Sequence, residues 1–244
     1  MLRLIFFLLC APFITLGVAV TCLMLRPSGK QSFLRKVETA WGKMLIAAAG
    51  CRIECDLSAL DPNVNYVFLA NHQSNLDIPA FFSILGDYDF RFLAKDSLFR
   101  IPLFGHAMRH NGHIEVFRED GAKAMQALRD AVKIAKDDKS ILVFPEGTRS
   151  PDPNQLLPFK AGGMLIAYRA GLPVAPLVIA GTAAIMPKGT LRLNPGVIRV
   201  RALPPLDPTK IRSKTDRATF ERDLYTTMND AYQELHTWKE KTTQ

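Results

Sequence analysis

The stretch Tyr66-Val67-Phe68-Leu69-Ala70-Asn71-His72-Gln73-Ser74-Asn75-Leu76-Asp77 begins as an apolar run and ends as a polar turn. Five consecutive apolar residues suit a strand covered on both faces. Polar residues then spill from its carboxyl end, where open α/β sheets place their ligands. His72 and Asp77 stand five positions apart, about 140° around a continuous helix. They can meet only if the chain turns between them, and Asn71, Ser74 and Asn75 suit a turn. A second apolar run, Ile141-Leu142-Val143-Phe144, ends in Pro145-Glu146-Gly147-Thr148-Arg149-Ser150. The two polar ends read as two walls of one site.

Outward from these runs, short apolar segments alternate with helical ones, the pattern of an α/β sheet domain. Strands are expected over Arg52–Leu57, Val64–Ala70, Phe90–Ala94, His113–Phe117, Ser140–Phe144, Val174–Ala180 and Val197–Ala202, giving a mixed central sheet of about seven strands flanked by helices. A helix is expected over Asp120–Ala135, where Met125, Leu128, Val132 and Ala135 form a stripe. Another is expected over Lys160–Ala170, closed by Gly171. A long amphipathic helix runs from Asp216 to Trp238, with Pro204-Pro205-Leu206-Asp207-Pro208 as the connector into it.

The first 50 residues read differently. Leu4 to Leu25 contains no charged residue over 22 positions, and about 20 apolar residues cross a hydrocarbon layer. Arg3 flanks it on one side, with Arg26, Lys30, Arg35 and Lys36 on the other. The run is too long for a signal-peptide core and lacks a small-residue exit. A simple span with a cytoplasmic basic flank is one reading. A pair of helices dipping into one leaflet is another, because Phe33, Val37, Trp41, Leu45 and Ala48 share a stripe in Ser32–Ala49. The chain thus divides into membrane-anchoring helices over residues 1–50 and an α/β domain over 51–244. The net charge of +8 suits anionic lipid head groups; no nucleic-acid motif accompanies it. Cys10, Cys22, Cys51 and Cys55 lack a zinc-ligand pattern and read as reduced thiols.

Histidine can accept and return a proton near neutral pH, and a carboxylate can fix its tautomer. Asp77 has two readings: orienter of His72, or N-cap of the helix opened by Ile78-Pro79. Ser74 lacks the Gly-x-Ser-x-Gly elbow of a nucleophile. His106, His110 and His113 share a spacing that invites a metal, but Asn111-Gly112 ends the helix before His113 and no further ligand completes a zinc site.

Asn71 to Asp77 resembles the His-x4-Asp block of the glycerolipid acyltransferases, and Phe144 to Ser150 matches their Phe-Pro-Glu-Gly-Thr-Arg-Ser block. Within that family the chain looks most like the bacterial lysophosphatidic acid acyltransferases, over roughly residues 60 to 185. The resemblance implies a catalytic pair, His72 and Asp77, and an N-terminal two-helix membrane element. It implies transfer of an acyl group from acyl-CoA or acyl-carrier protein to lysophosphatidic acid, with no cofactor or metal. A phosphate-bearing acceptor needs fixed cations, and Arg149 and Arg118 are the candidates, with Lys95 in a weaker family-like stretch. Arg118 ends Gly112-His113-Ile114-Glu115-Val116-Phe117-Arg118, where Glu115 and Phe117 depart from the family's pattern. Gly147 and Thr148 complete the anion-gathering turn, and Glu146 is expected either to bind acceptor hydroxyls or to orient Arg149. Pro173, Val174 and Pro176 resemble a block suggesting an apolar wall for the acyl chain, against the alternative of an edge strand. The expected location is the bacterial inner membrane, with the catalytic domain on the cytoplasmic side. Two other readings stand beside this one: another lysophospholipid or aminolipid acceptor, or a lipid-binding protein without chemistry.

Overall fold

The computed structural model describes residues 2–25, 31–211 and 213–237. Arg26 and Lys30 of the basic flank, and Trp238 of the expected C-terminal stripe, lie outside the described residues. Helices α1 (Leu2–Met24) and α2 (Gln31–Ala48) come first. Then follow β1 (Cys51–Asp56), β2 (Val67–Ala70), α3 (Asp77–Ile84), β3 (Phe90–Lys95), α4 (Asp96–Phe99), α5 (Phe104–His110) and β4 (Ile114–Val116). The chain continues through α6 (Gly121–Lys136), β5 (Ser140–Val143), α7 (Gly162–Ala170), β6 (Val174–Ala180), α8 (Thr182–Ile185) and β7 (Gly196–Ala202). A 3-10 turn (Pro208–Lys210) leads into α9 (Lys214–Thr237).

One seven-stranded sheet has the order β1-β7-β6-β2-β5-β3-β4. Strands β6, β2, β5, β3 and β4 run parallel, while β7 is antiparallel to β6 and carries β1 parallel beside it. All five parallel strands therefore end at one edge. From β2 the chain moves out to β3 and β4, returns to β5, and then crosses to β6 on the other flank of β2. This reversal makes the carboxyl end of β2 a switch point, and residues just past it face a crevice.

Strand side chains alternate between two cores, as the two-residue pleat requires. Phe68, Ala70, Leu142 and Phe144 join a core shared with Trp41 and Leu45 of α2 and Phe81 of α3. Val67, Leu69, Ile141 and Val143 join a second core, with Ala131 of α6, Ile166 of α7 and Met228 of α9. Burial on both faces explains why these strands read as unbroken apolar runs.

β6 is interior, which corrects the edge-strand alternative for Pro173–Pro176. Pro176 is tolerated there because pairing to β7 begins one residue later, at Leu177↔Ala202. Its carbonyl still accepts the Leu203 N–H at 2.9 Å, so its nitrogen lies on the β7 side, at the end of that ladder.

Among the described residues, α1 is the one helix long and apolar enough to cross a membrane. Leu2, Phe6, Leu9 and Phe13 are exposed on it. It is tied to its neighbours by the Trp41 Nε1–H bond to Thr15 Oγ1 (3.1 Å) and by Arg3 to the Gly50 carbonyl (3.1 Å). Cys10, Cys22, Cys51 and Cys55 are unbridged.

Candidate active site

The turn after β2 is held by its own side chains. Asn71 reaches across to β6, donating to the Ile179 carbonyl and accepting its N–H, both at 2.8 Å. The amide side chain thus extends the sheet by one rung and fixes where the turn starts. Asp77 Oδ2 accepts the N–H groups of Gln73 (2.6 Å) and Ser74 (2.8 Å) and lies 2.8 Å from His72 Nδ1. The cap position of α3 is Leu76, and Asp77 is its first helical residue. The N-cap reading is thereby corrected: the carboxylate folds back over the turn, bracing two amides and the ring together. Ser74 Oγ donates to the Met186 carbonyl at 2.8 Å and is fully buried, a structural position and not a nucleophile's.

An oxygen that already accepts two N–H bonds accepts a third from the ring, so Nδ1 is the donor to Asp77 and Nε2 is left without a partner among the described residues. The His72 side chain keeps 9% of its area open, enough for one ring edge to meet a substrate.

Residues 144–150 lie directly against His72. They grip His72. Its ring stacks on Phe144 with centroids 4.0 Å apart and planes 3° off parallel. Its N–H donates to Glu146 Oε1 at 2.6 Å, and its carbonyl accepts the Ser150 N–H at 2.9 Å. Glu146 Oε2 accepts the Leu157 N–H at 2.9 Å. Both oxygens are therefore committed to backbone donors in a residue only 2% exposed. Sequence reasoning made Glu146 a ligand of the acceptor or an orienter of Arg149; its two oxygens instead clamp the backbone at His72 and Leu157. Burial raises its pKa from the ordinary 4.5 to about 7, against the two N–H bonds that favour the anion.

Gly147 adopts φ +69°, the left-handed region that favours glycine. Thr148 is exposed and Arg149 half-exposed, with the Arg149 carbonyl accepting from Lys188 Nζ at 2.8 Å. Lys95 is exposed at the carboxyl end of β3, and Arg118 lies two residues beyond β4, so both belong to the same edge as His72. Arg118 is exposed by area yet crowded. Desolvation lowers its guanidinium from the ordinary range, and the Asp96 carboxylate acts the other way. The two atypical residues before it turn elsewhere: Glu115 pairs with Arg109 at 3.0 Å, and the Phe117 ring lies under Lys123.

Pro173 and Val174 do not reach this site. Val174 pairs with Val67 at the start of β2, at the opposite end of the strand from His72, roughly 15 Å away at 3.3 Å per residue. Pro176 pairs with Leu69 and is buried. The apolar surface near the base is a groove of about 480 Å³. It starts at Asn75, Leu76 and Pro79 and runs to Leu4, Phe7 and Leu8 of α1. Sequence reasoning missed it because its walls come from segments some 70 residues apart. It also missed Lys160, whose N–H bonds to the Pro145 carbonyl at 2.8 Å. Of the three spaced histidines, His113 has both ring nitrogens engaged, by the Phe92 N–H and by Glu38. His110 Nε2 lies 2.8 Å from the Leu25 carbonyl, and the described residues contain no cluster suited to a metal.

Residues 52–180 match the acyltransferase family model. The chain is 38% identical over 153 residues to the chloroplastic 1-acyl-sn-glycerol-3-phosphate acyltransferase BAT2 of Brassica napus, covering 62% of this chain and 44% of that protein. It is 36% identical over 160 residues to the 1-acyl-sn-glycerol-3-phosphate acyltransferase of Salmonella typhimurium, covering 65% of this chain and 64% of that one. The chain spans about half the length of the curated relatives it matches. The crystal structure of the 1-acyl-sn-glycerophosphate (LPA) acyltransferase PlsC from Thermotoga maritima superposes with a TM-score of 0.85 and 26% identity. That alignment covers 98% of this chain and 97% of that one. The family match runs over more than half of the 244 residues and takes in both the turn that carries His72 and the segment that grips it. The chain therefore belongs to the acyltransferase family.

Proposed function

We propose that this protein transfers a fatty acyl group from a thioester, acyl-CoA or acyl-carrier protein, to the free hydroxyl of lysophosphatidic acid, forming phosphatidic acid. The observation that carries this reading is His72. Its Nδ1 is bonded to Asp77, its backbone is clamped at both polar groups, and Asn75 and Leu76 of the same turn border an apolar groove. The curated relatives are named for acylation of the same acceptor.

In the proposed reaction the acceptor hydroxyl attacks the thioester carbonyl while His72 Nε2 takes its proton. The carbon–sulfur bond then breaks, and the imidazolium returns the proton to the departing thiolate. Asp77 holds the ring and balances its transient charge. Such general-base help is worth about 10²–10⁴-fold. The hydroxyl is the nucleophile throughout, so the route calls for neither an acyl-enzyme nor a cofactor. Arg149, Arg118 and Lys95 face the acceptor phosphate, for which a guanidinium fork is well suited. The groove between α1, α2 and the start of α3 takes the acyl chain in place of Pro173–Pro176.

Helices α1 and α2 anchor the protein, with residues 51–244 on the cytoplasmic side of the inner membrane, where the chain's cations meet anionic lipid. A panel of lysolipid acceptors with both thioester donors tests the assignment. Lysophosphatidic acid should react best, and Arg149→Ala should raise its KM by roughly 10–100-fold, the range of one charge-assisted contact. Equal rates with acceptors lacking a phosphomonoester, unaffected by Arg149→Ala, would exclude it.

A further inference from the structure

The segment that clamps His72 is itself held from the far end of the chain. Residues 151–161 contain no helix or strand, so no ladder fixes their carbonyls. Helix α9 supplies donors instead. The Tyr232 hydroxyl donates to the Pro153 carbonyl at 2.5 Å, the Tyr225 hydroxyl to the Leu156 carbonyl at 3.0 Å, and Gln233 Nε2 to the Asn154 carbonyl at 2.6 Å. We propose that α9 is a positioning strut for the proposed base: Tyr232, aided by Tyr225 and Gln233, sets the place of His72 through the loop 151–157. The assignment rests on the acyl-transfer reading and adds to it residues outside both sequence blocks.

Three features support it. The first is continuity. The Leu157 N–H bonds Glu146 Oε2, whose Oε1 accepts the His72 N–H, and the Ser150 N–H bonds the His72 carbonyl. Ser150 Oγ closes the loop on itself by donating to the Asp152 carbonyl at 2.7 Å. Both ends of the loop therefore reach the His72 backbone. The second is burial. Tyr232 is 1% exposed, in one core with Leu156 and Met228, while Pro153, Asn154 and Gln155 are exposed. An exposed loop pinned to a core side chain loses the local freedom that such segments otherwise have. Tyr225 stands two helical turns before Tyr232, on the same side of α9, and its ring also meets Phe159 edge-on at 5.2 Å. The third is that the donor keeps its proton. Burial, then the carboxylates of Asp77, Glu146 and Asp152, push the Tyr232 hydroxyl well above the ordinary tyrosine range.

Tyr232→Phe keeps the ring and removes only the hydroxyl. In the full chain in mixed micelles it should lower kcat roughly 10–100-fold, the range of a small misplacement of a reacting group. KM for both substrates should stay within about threefold. Tyr225→Phe should show the same split more weakly, and it carries the test if Tyr232→Phe does not fold. Met228→Ala thins the same core from the same helix and removes no bond to the loop. It should lower the melting temperature at least as far and leave kcat per folded molecule within about twofold. Equal falls in kcat from Tyr232→Phe and Met228→Ala, or an unchanged kcat in both tyrosine variants, would overturn the strut. In a Glu146→Gln background the loop's hold on His72 is already weakened, so Tyr232→Phe should cost less there than in the wild type. Additive losses would show that α9 does not act along this path. Amide exchange over residues 146–157, faster in Tyr232→Phe than in Met228→Ala, reads the coupling without turnover; equal exchange would count against it. A wild type inactive on lysophosphatidic acid but showing that difference would remove the proposed function and leave the strut standing.

Discussion

Two histidine–carboxylate pairs lie among the described residues, and they look alike in distance and burial. His72 meets Asp77 at 2.8 Å and His113 meets Glu38 at 2.8 Å; the two histidines are 7% and 8% exposed. What differs is the second ring nitrogen. His113 accepts the Phe92 N–H on Nδ1 and donates through Nε2 to Glu38, which also accepts from Asn111 at 2.6 Å. The pair lines a cavity closed by Trp41, Phe82 and Phe104, where it links α2 to β3 and β4. His72 spends one nitrogen on its carboxylate and keeps the other. Pairing and burial make a stable histidine; a second ring nitrogen left without a partner is what the proposed base requires.

The sharpest way to break this contrast is to delete each ring. His72→Ala should cut turnover by about 10²–10⁴-fold or more while the melting temperature moves little. His113→Ala should do the reverse. It leaves Glu38 without its ring donor and should destabilise by about 2–4 kcal/mol, with turnover per folded molecule within a few-fold of wild type. Thermal melts and active-fraction kinetics on the same samples decide it. Equal losses of turnover, with both proteins equally folded, would erase the distinction.

A smaller effect sharpens it through Glu146, which supports one histidine and not the other. Burial raises the pKa of this carboxyl in the folded chain to about 7, so the folded protein keeps a proton that the unfolded chain releases from about pH 4.5 upward. Stability therefore falls as pH climbs between about 4.5 and 7, by no more than about 3 kcal/mol, and levels off above. Glu146→Gln has no such proton. Its melting temperature, lower at acidic pH because one backbone N–H loses its acceptor, should gain on the wild type as pH rises from 5 to 8. Parallel pH profiles for the two proteins would show that Glu146 does not titrate in this window.

Much of the fold was legible because strands buried on both faces announce themselves as unbroken apolar runs, as Val67–Ala70 and Ile141–Phe144 do. Less legible were the short helices α4 and α8, whose few positions carry too little periodicity to be read; the three-residue β4 falls inside the strand expected over His113–Phe117. The pairing of His72 with Asp77 was legible. His72 and Asp77 were chosen together because a turn of Asn71, Ser74 and Asn75 lets them meet. The roles were harder. Glu146 looks like a ligand in a linear chain, since carboxylates are expected at solvent; only a folded neighbour shows its oxygens taken by the His72 and Leu157 amides. Pro173 and Pro176 carry a family-like spacing, but a motif does not say at which end of its strand the crevice opens.

The sequence by itself determined the alternation of elements, the apolar N-terminal helix and the pairing of His72 with Asp77. These are local properties, governed by side-chain periodicity and by the reach of one turn. Only the tertiary structure decided which groups face the crevice and which stand behind it. That outcome depends on strand order: β5 inserts beside β2 and brings residues 144–150 against His72, so that a segment 70 residues distant becomes its support.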